Sequence, residues 1–177
     1  MNTDLNVYEA ADIKGRELFK EFCSTQSWCK MIKEAPLDKV WDVSYYSGST
    51  KVIGEIKVRD YNSKAFLDWD YEYTKHHNLL GVYEETKAMK RNQNKKIEIQ
   101  YVNFFSDDAV KIWTTTNLHH HQQPTQENRN KSKVENKGDK MKWIYGCNLE
   151  FEAFRGSIKN IGYEPNDDDS DYYNLPF

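Results

Sequence analysis

The chain has 177 residues, of which 30% are charged and 38% hydrophobic, and its formal net charge is −3. This length suits one globular domain with a tail. No apolar run approaches the roughly 20 residues that a membrane-spanning helix needs, and the N-terminus lacks a basic region followed by an apolar stretch, as a signal peptide would have. We therefore expect a cytoplasmic protein with no membrane partner.

The acidic residues are unevenly distributed. The chain contains 25 Lys and Arg against 28 Asp and Glu, and residues 164–177 hold five of these acids and no base. The rest of the chain is thus close to neutral. Because a nuclease needs only a local basic surface and metal ions to approach phosphates, the net charge does not exclude a nucleic-acid partner.

The cysteines and histidines do not have the spacing of a zinc site. Cys23, Cys29 and Cys147 form an odd set, and we expect free thiols in a reducing cytoplasm. The histidines at 76–77 and 119–121 are adjacent in sequence, and no cysteine or acid spacing completes a tetrahedral set around them. We therefore expect no structural zinc.

The first half of the chain predicts a helix followed by a hairpin. Residues 8–24 carry apolar side chains at helical spacing, and a short helical or irregular piece follows, up to Pro36. Residues 39–46 are rich in β-branched and aromatic types, and 51–58 alternate as a strand does. The turn residue Gly48 between them predicts an antiparallel pair.

The second half predicts one long helix and further strands. Residues 64–91 are the longest helical candidate, and 96–105 and 109–115 are typical of strands. The polar stretch 119–140 is nearly free of large apolar groups, whereas 141–154 returns to strand-like composition. This order predicts an α/β fold with a mixed central sheet flanked by helices.

Two carboxylates and an ammonium fall on the predicted hairpin. Asp42 lies in its first strand, and Glu55 and Lys57 lie two apart in its second, so alternation places the latter two on one sheet face. Apolar neighbours indicate a buried strand, where charges need partners or a metal; the alternative is a solvated strand face. Magnesium prefers such oxygen ligands, and the backbone carbonyl of Ile56 could supply another.

Asp42 followed by the Glu55-Ile56-Lys57 tripeptide resembles the signature of the PD-(D/E)XK nuclease superfamily. The resemblance covers roughly residues 8–116, and the residue before Asp42 is Trp41 where the family's name has Pro. It implies a restriction-endonuclease-like core, catalysis by Asp42, Glu55 and Lys57, and Mg2+ or Mn2+ held by Asp42, Glu55 and the Ile56 carbonyl. The expected activity is hydrolysis of DNA phosphodiesters, in phage or mobile-element biology, repair or restriction.

The resemblance over residues 8–116 and the composition of the rest predict a division of the chain into four parts. We expect a nuclease-like core over 1–118, a flexible polar insertion over 119–140, and a C-terminal strand or helix over 141–163 that returns to the core. The remaining residues, 164–177, are expected to form an acidic disordered tail.

Further site residues are expected from the family's pattern. Many members add a metal-binding acid from the first helix, for which Glu17 is the candidate and Glu21 the rival; an exposed helix acid is the alternative. The helix after the Glu-x-Lys strand often presents polar residues to the site. Tyr71 and Lys75, four residues apart on this helix, are the candidates for substrate binding. Two bases after the strand, Arg59 and Lys64, could contact phosphate.

The last residues resemble the acidic tail of bacterial single-stranded DNA-binding proteins, which ends in Pro-Phe. Phe177 would anchor in an apolar pocket of a replication or repair protein, beside Pro176, while Asp169 and Asp171 steer toward bases. A solubilising end is the alternative.

Three functions therefore compete. The first is a metal-dependent DNA nuclease, and related folds often form homodimers. The second is a non-catalytic factor that keeps a nuclease-like scaffold and recruits partners through its tail. The third is a single-stranded DNA-binding protein, which needs stacking platforms such as Trp113, Tyr101 and Trp143, although these aromatics also suit a sheet core.

Overall fold

A mixed β-sheet with helices packed on its faces organises the chain in a computed structural model that describes residues 7–65, 68–130, 139–148 and 152–157. A 3-10 turn at Lys90–Asn92 follows the second helix. The helices and strands, in chain order, are α1 (Val7–Ser24), β1 (Cys29–Glu34), β2 (Val43–Ser47), β3 (Thr50–Val58), β4 (Asp68–Glu72), α2 (Tyr73–Ala88), β5 (Ile97–Phe104), β6 (Ala109–Thr114), α3 (Leu118–His121), β7 (Thr125–Asn130), β8 (Asp139–Asn148) and β9 (Glu152–Ser157).

Within these residues the strands form two sheets. The larger has the order β1-β2-β3-β5-β6-β9, and the smaller has the order β4-β8-β7. In the larger sheet β3 and β5 run parallel, with α2 between them in the chain, while the other neighbouring pairs are antiparallel. The prediction of an α/β fold with a mixed sheet flanked by helices is confirmed at this level.

Strand alternation divides the core between the two faces of the larger sheet. On β3, Val52 and Ile56 join the cluster that packs under α1, whereas Ile53 joins the cluster on the α2 face. On β5, Val102 belongs to the first cluster and Tyr101 to the second. Every second residue of these strands thus faces the same helix.

Two glycines allow this arrangement at the hairpin and under α1. Gly48 has a φ of 57° in the turn between β2 and β3, a conformation that glycine adopts without steric cost. Gly15 lets α1 approach the sheet closely, since a Cβ there would lie 3.0 Å from Cγ2 of Ile56. This close approach brings the next residue, Arg16, to the edge of the hairpin.

The structure confirms the first helix, the hairpin and the two strands after residue 96, and it changes other predictions. The piece before Pro36 is a strand, β1, rather than helical or irregular. The hairpin's first strand begins at Val43, four residues later than predicted. The helix predicted over 64–91 is wrong at its start: β4 pairs with β8, and α2 begins at Tyr73.

The polar stretch 119–140 also differs from expectation, because it contains the last turn of α3 and the strand β7, which pairs with β8 from Thr125 to Asn130. Its polar composition reflects an edge strand of the small sheet. The expected tail, 164–177, lies outside the described residues, so the tail residues Asp169, Asp171, Pro176 and Phe177 do too.

The expectation of free thiols is wrong for two of the three cysteines. Cys23 at the end of α1 and Cys29 at the start of β1 form a disulfide, with Cα atoms 5.4 Å apart. Both are buried in the core under α1. Disulfides persist mainly in oxidising compartments, so the thiol argument for a reducing cytoplasm no longer holds.

Candidate active site

A cavity of about 380 Å³ opens on the α2 face of the larger sheet, beside the smaller sheet. Its lining combines acids, bases and aromatic groups from four strands, one helix and the loop after β3. The residues are Glu55, Lys57, Arg59, Asp70, Tyr71, Glu72, Lys75, Tyr101, Lys142 and Ile144. The predicted Glu-x-Lys pair therefore lies in a cavity and not on a flat solvated strand.

Glu55 is fully buried and contacts two lysines. Its Oε1 lies 2.9 Å from Nζ of Lys57, and its Oε2 lies 3.0 Å from Nζ of Lys75. Lys57 is on the same strand two residues on, so it shares a sheet face with Glu55, while Lys75 projects from the first turns of α2. The carboxylate is thus held by ion pairs whose ammonium groups reach into the cavity.

Asp42 is the residue before β2, and so lies outside the hairpin strand in which it was predicted, but it is beside Glu55 of β3. Because Val43 pairs with Gly54, the antiparallel register continues to place Asp42 beside Glu55. Its Oδ2 accepts a hydrogen bond of 2.7 Å from the backbone N–H of Ile56. The carbonyl of a strand residue points to the same side as its N–H, so the Ile56 carbonyl also faces this edge.

The α1 side chain that reaches Asp42 is a base. Nη2 of Arg16 lies 3.5 Å from Oδ1 of Asp42, both side chains are buried, and Arg16 also donates to the carbonyl oxygen of Ala35. Glu17 and Glu21, the expected acids of this helix, are both exposed. Arg16 was not foreseen, since its buried position follows from the packing of α1 and not from its polarity.

Burial and neighbouring charges shift the pKa values of Glu55 and Lys57. Loss of water raises the pKa of Glu55, and the charge of Asp42 raises it further, while Lys57 and Lys75 act in the opposite direction. Burial would lower the pKa of Lys57, but the charges of Glu55 and Tyr101 and the hydrogen bond to Glu55 raise it above its ordinary value. Lys57 is therefore a cation at neutral pH.

The predicted substrate-binding residues have different positions. Arg59 lines the cavity, where its Nε donates a 2.8 Å hydrogen bond to Asn103 and its Nη2 donates to the Tyr101 hydroxyl. Tyr71 also lines it, from β4 and not from a helix, and its ring stacks on Tyr101 at 4.4 Å. Lys64 is exposed in the turn after β3 and lies outside the lining.

Several lining residues were missed because strand pairing between distant segments brings them together. Asp70 and Glu72 come from β4, and Lys142 comes from β8, where its Nζ lies 2.6 Å from Oε1 of Glu72. The strand-like composition of 141–154 is a signal for β8, but nothing local indicates that β8 pairs with β4. Tyr101 also lines the cavity, whereas the sequence suggests it only as a stacking platform.

The aromatic residues of the single-stranded DNA-binding hypothesis divide into two groups. Trp113 and Tyr101 are buried at 0% and 2% exposure and belong to the core on the α2 face. Trp143, by contrast, is 52% exposed on β8. Two of the three residues are therefore core residues and cannot offer a ring face to a base.

Asp42, Glu55 and the Ile56 carbonyl are the candidate metal donors. In the part of the chain that the structure describes, no group of three or more His, Cys, Asp or Glu side chains could hold a metal ion. Asp42 and Glu55 supply two neighbouring carboxylates, and the Ile56 carbonyl faces the same edge. Magnesium commonly takes one or two carboxylates with water and substrate oxygens as its other ligands, so the donor types suit this ion, but Asp42 and Ile56 lie outside the cavity lining and both Asp42 oxygens already have partners.

Comparison with protein-family models, curated proteins and solved structures finds no match to this chain. No helix among the described residues is long and apolar enough to cross a membrane. Function must therefore be argued from the cavity and its side chains.

Proposed function

We propose that this protein is a metal-dependent nuclease whose active site is the cavity around Glu55. One observation carries the proposal: a fully buried carboxylate lies on a β-strand at a cavity, beside Asp42 and within 3.0 Å of Nζ of Lys57 and of Lys75. The order of α1, three strands of the larger sheet, β4 of the smaller sheet, α2 and a strand parallel to β3 also supports the resemblance to PD-(D/E)XK nucleases.

In the proposed reaction, a water oxygen forms a bond to the phosphorus of a phosphodiester and one P–O ester bond breaks. The products are a phosphate monoester and a hydroxyl group. Asp42, Glu55 and the Ile56 carbonyl would hold Mg2+ or Mn2+, which supplies Lewis-acid stabilisation and lowers the pKa of bound water.

The cations of the cavity would act on the phosphate. Lys57 is charged, and its Nζ is placed to stabilise the negative charge that develops on the phosphoryl oxygens, or to orient the attacking water. Lys75 and Arg59 would bind the flanking phosphates. Arg59 is already oriented by Asn103 and Tyr101, so it loses little side-chain freedom on binding.

A second function is favoured by the contacts of Asp42. Its two carboxylate oxygens are occupied by the Ile56 N–H and by Arg16, as they would be in a scaffold that no longer binds metal. The alternative is a non-catalytic DNA-replication or repair factor whose C-terminal tail recruits partner proteins.

Cleavage of labelled plasmid and single-stranded DNA distinguishes the two functions. The wild type is expected to cut in Mg2+ or Mn2+ and not in EDTA, and Glu55→Gln and Lys57→Met should each lose about 1000-fold in rate, or about 4 kcal/mol of transition-state stabilisation. Cleavage that survives both substitutions would refute the proposed site, and no cleavage by folded wild type would favour the scaffold.

The chain offers a matched control for this experiment. Lys96 and Glu98 form a second lysine–glutamate pair two residues apart, 2.8 Å between Nζ and Oε1, on the neighbouring strand end and outside the cavity lining. Glu98→Gln and Lys96→Met should leave cleavage unchanged. Loss of activity in these controls would mean that removal of strand charges acts through folding.

A further inference from the structure

A second depression, of about 480 Å³, lies on the other side of strand β8. Its lining is aromatic and amide in character and contains no acidic or lysine side chain among the described residues. The residues used below are Tyr73, His77, His119, Gln122, Trp143 and Tyr145, and we call this depression the aromatic groove.

Strand β8 separates the aromatic groove from the candidate active site. Lys142 and Ile144 line the active-site cavity, whereas Trp143 and Tyr145 line the groove. This division follows from the alternation of side chains along a strand. The groove and the cavity therefore lie on opposite faces of β8, the middle strand of the smaller sheet.

Among the rings of the groove, Tyr145 is buried and Tyr73 half-buried, whereas His77 and Trp143 are exposed. Tyr73 lies 4.1 Å from His77 and 5.8 Å from Tyr145 between ring centroids. Trp143 is 52% exposed, so this large hydrophobic ring of the groove faces solvent.

The histidines around the groove favour stacking over charge recognition. Burial, followed by the neighbouring histidines, lowers the pKa of His119, and burial lowers the pKa of His76 behind it to about 3. Both rings are neutral at neutral pH. The groove therefore offers neutral ring faces together with the amide of Gln122, which can donate and accept hydrogen bonds.

We propose that the aromatic groove binds an unpaired nucleobase of the substrate strand, stacked on Trp143. This inference rests on the proposed function and names its substrate class as a single strand or a single-stranded end. A base-paired nucleotide stacks within its duplex and presents no free ring face to the groove. Aromatic side chains stack on bases of any sequence, so no base preference is required.

Binding measured without cleavage tests the groove separately from catalysis. All variants carry Glu55→Gln, and fluorescence anisotropy compares a labelled oligothymidine, an oligouridine and a duplex, each of about 15 nucleotides. Trp143→Ala should weaken binding of the single strands about tenfold, the effect of losing one stacked base, while Trp143→Phe retains most of it and duplex binding changes less than about twofold.

Tyr8→Ala is the matched control, because Tyr8 is also an aromatic residue about half exposed, at 50%, but lies on α1. It should leave all three affinities unchanged. A Trp143-dependent affinity for oligothymidine, oligouridine or both supports the base site and shows which sugar it accepts. Equal losses for single strand and duplex, or no loss on Trp143→Ala, would overturn it.

The two proposals fail in distinguishable ways. Cleavage that requires Glu55, together with single-strand binding that is indifferent to Trp143, refutes the groove and leaves the nuclease. Trp143-dependent binding by a protein that cuts no substrate refutes the nuclease and retains the groove as a binding site for unpaired bases.

Discussion

The two faces of the larger sheet differ in the buried polar side chains that they contain. Under α1, the cluster around Phe19 and Phe22 is apolar, and the buried Arg16 and Asp42 pair with each other at its border. On the α2 face, Glu55 and His76 are fully buried beside a cluster of aromatic and aliphatic side chains. Both oxygens of Glu55 contact ammonium groups, whereas Nδ1 of His76, like Nε of Arg16 on the α1 side, has no hydrogen-bond partner among the described residues.

We expect this difference to separate effects on stability from effects on the proposed activity. A buried charge costs free energy of folding even when it is paired, so the proposed function explains Glu55 at the cavity better than stability does. The α1 face should therefore respond to substitution by losing stability. The α2 face should respond by losing activity while the fold persists.

The largest effect on stability is expected in the apolar cluster under α1. Phe22→Ala removes a fully buried ring that packs on Phe104 at 6.2 Å, and should lower the free energy of unfolding by about 3–5 kcal/mol. Glu55→Gln removes a buried charge and leaves Lys57 and Lys75, whose side chains are 41% and 30% exposed and stay in contact with water, so it should change this free energy by less than about 1 kcal/mol or raise it. Urea unfolding followed by circular dichroism measures both. Comparable losses for the two variants would make Glu55 a structural residue.

The next largest loss of stability is expected when the buried ion pair between Arg16 and Asp42 is broken. Arg16→Met leaves the carboxylate of Asp42 buried with only the Ile56 N–H, and should cost about 3 kcal/mol. Adding Asp42→Asn should recover part of that loss, because the amide oxygen can still accept the Ile56 hydrogen bond. A double-mutant cycle of the unfolding free energies gives the coupling, and additive losses would mean that the two side chains do not interact.

His76 predicts a pH dependence for the α2 face. Burial, then His119 and His77, lower its pKa to about 3 from 6.5, and the other titratable rings packed against it are Tyr71 and Tyr145. The unfolded chain takes up a proton below pH 6.5 that the folded His76 rejects until about pH 3, so stability falls as the pH drops through this window.

His76→Gln removes this titration while it keeps a polar side chain. The wild type should lose about 2 kcal/mol relative to the variant between pH 7 and 5, measured as the difference in urea unfolding free energy at each pH. Unfolding free energies that fall in parallel with decreasing pH would show that His76 is protonated in the folded protein.

The sequence predicts the parts of this comparison that depend on local patterns. Alternation in β3 places Glu55 and Lys57 on one face, and the spacing of α1 identifies its buried stripe. What it cannot predict depends on long-range pairing: β4 with β8, which adds Asp70 and Lys142 to the cavity, and the contact of Arg16 with Asp42. Polar strands such as β7 have no apolar alternation, so composition alone suggests a loop.

The smallest expected changes in unfolding free energy come from removing one buried tyrosine hydroxyl on each face. The Tyr45 hydroxyl donates to Oε1 of Gln100 under α1, whereas the Tyr101 hydroxyl accepts from Arg59 and donates a 3.0 Å hydrogen bond to the carbonyl oxygen of Asp70 at the cavity. Both side chains are at most 2% exposed. They differ in whether water can replace the lost hydroxyl.

Tyr45→Phe should cost about 1–2 kcal/mol, because it leaves a buried acceptor on Gln100 that no water reaches. Tyr101→Phe should cost about 0.5 kcal/mol, since water in the cavity can take the place of the hydroxyl beside Arg59. Urea unfolding of the two variants at the same pH measures the difference. A larger cost for Tyr101→Phe would show that the hydrogen bonds at the cavity hold the fold together, and the division between a stabilising face and a functional face would then be wrong.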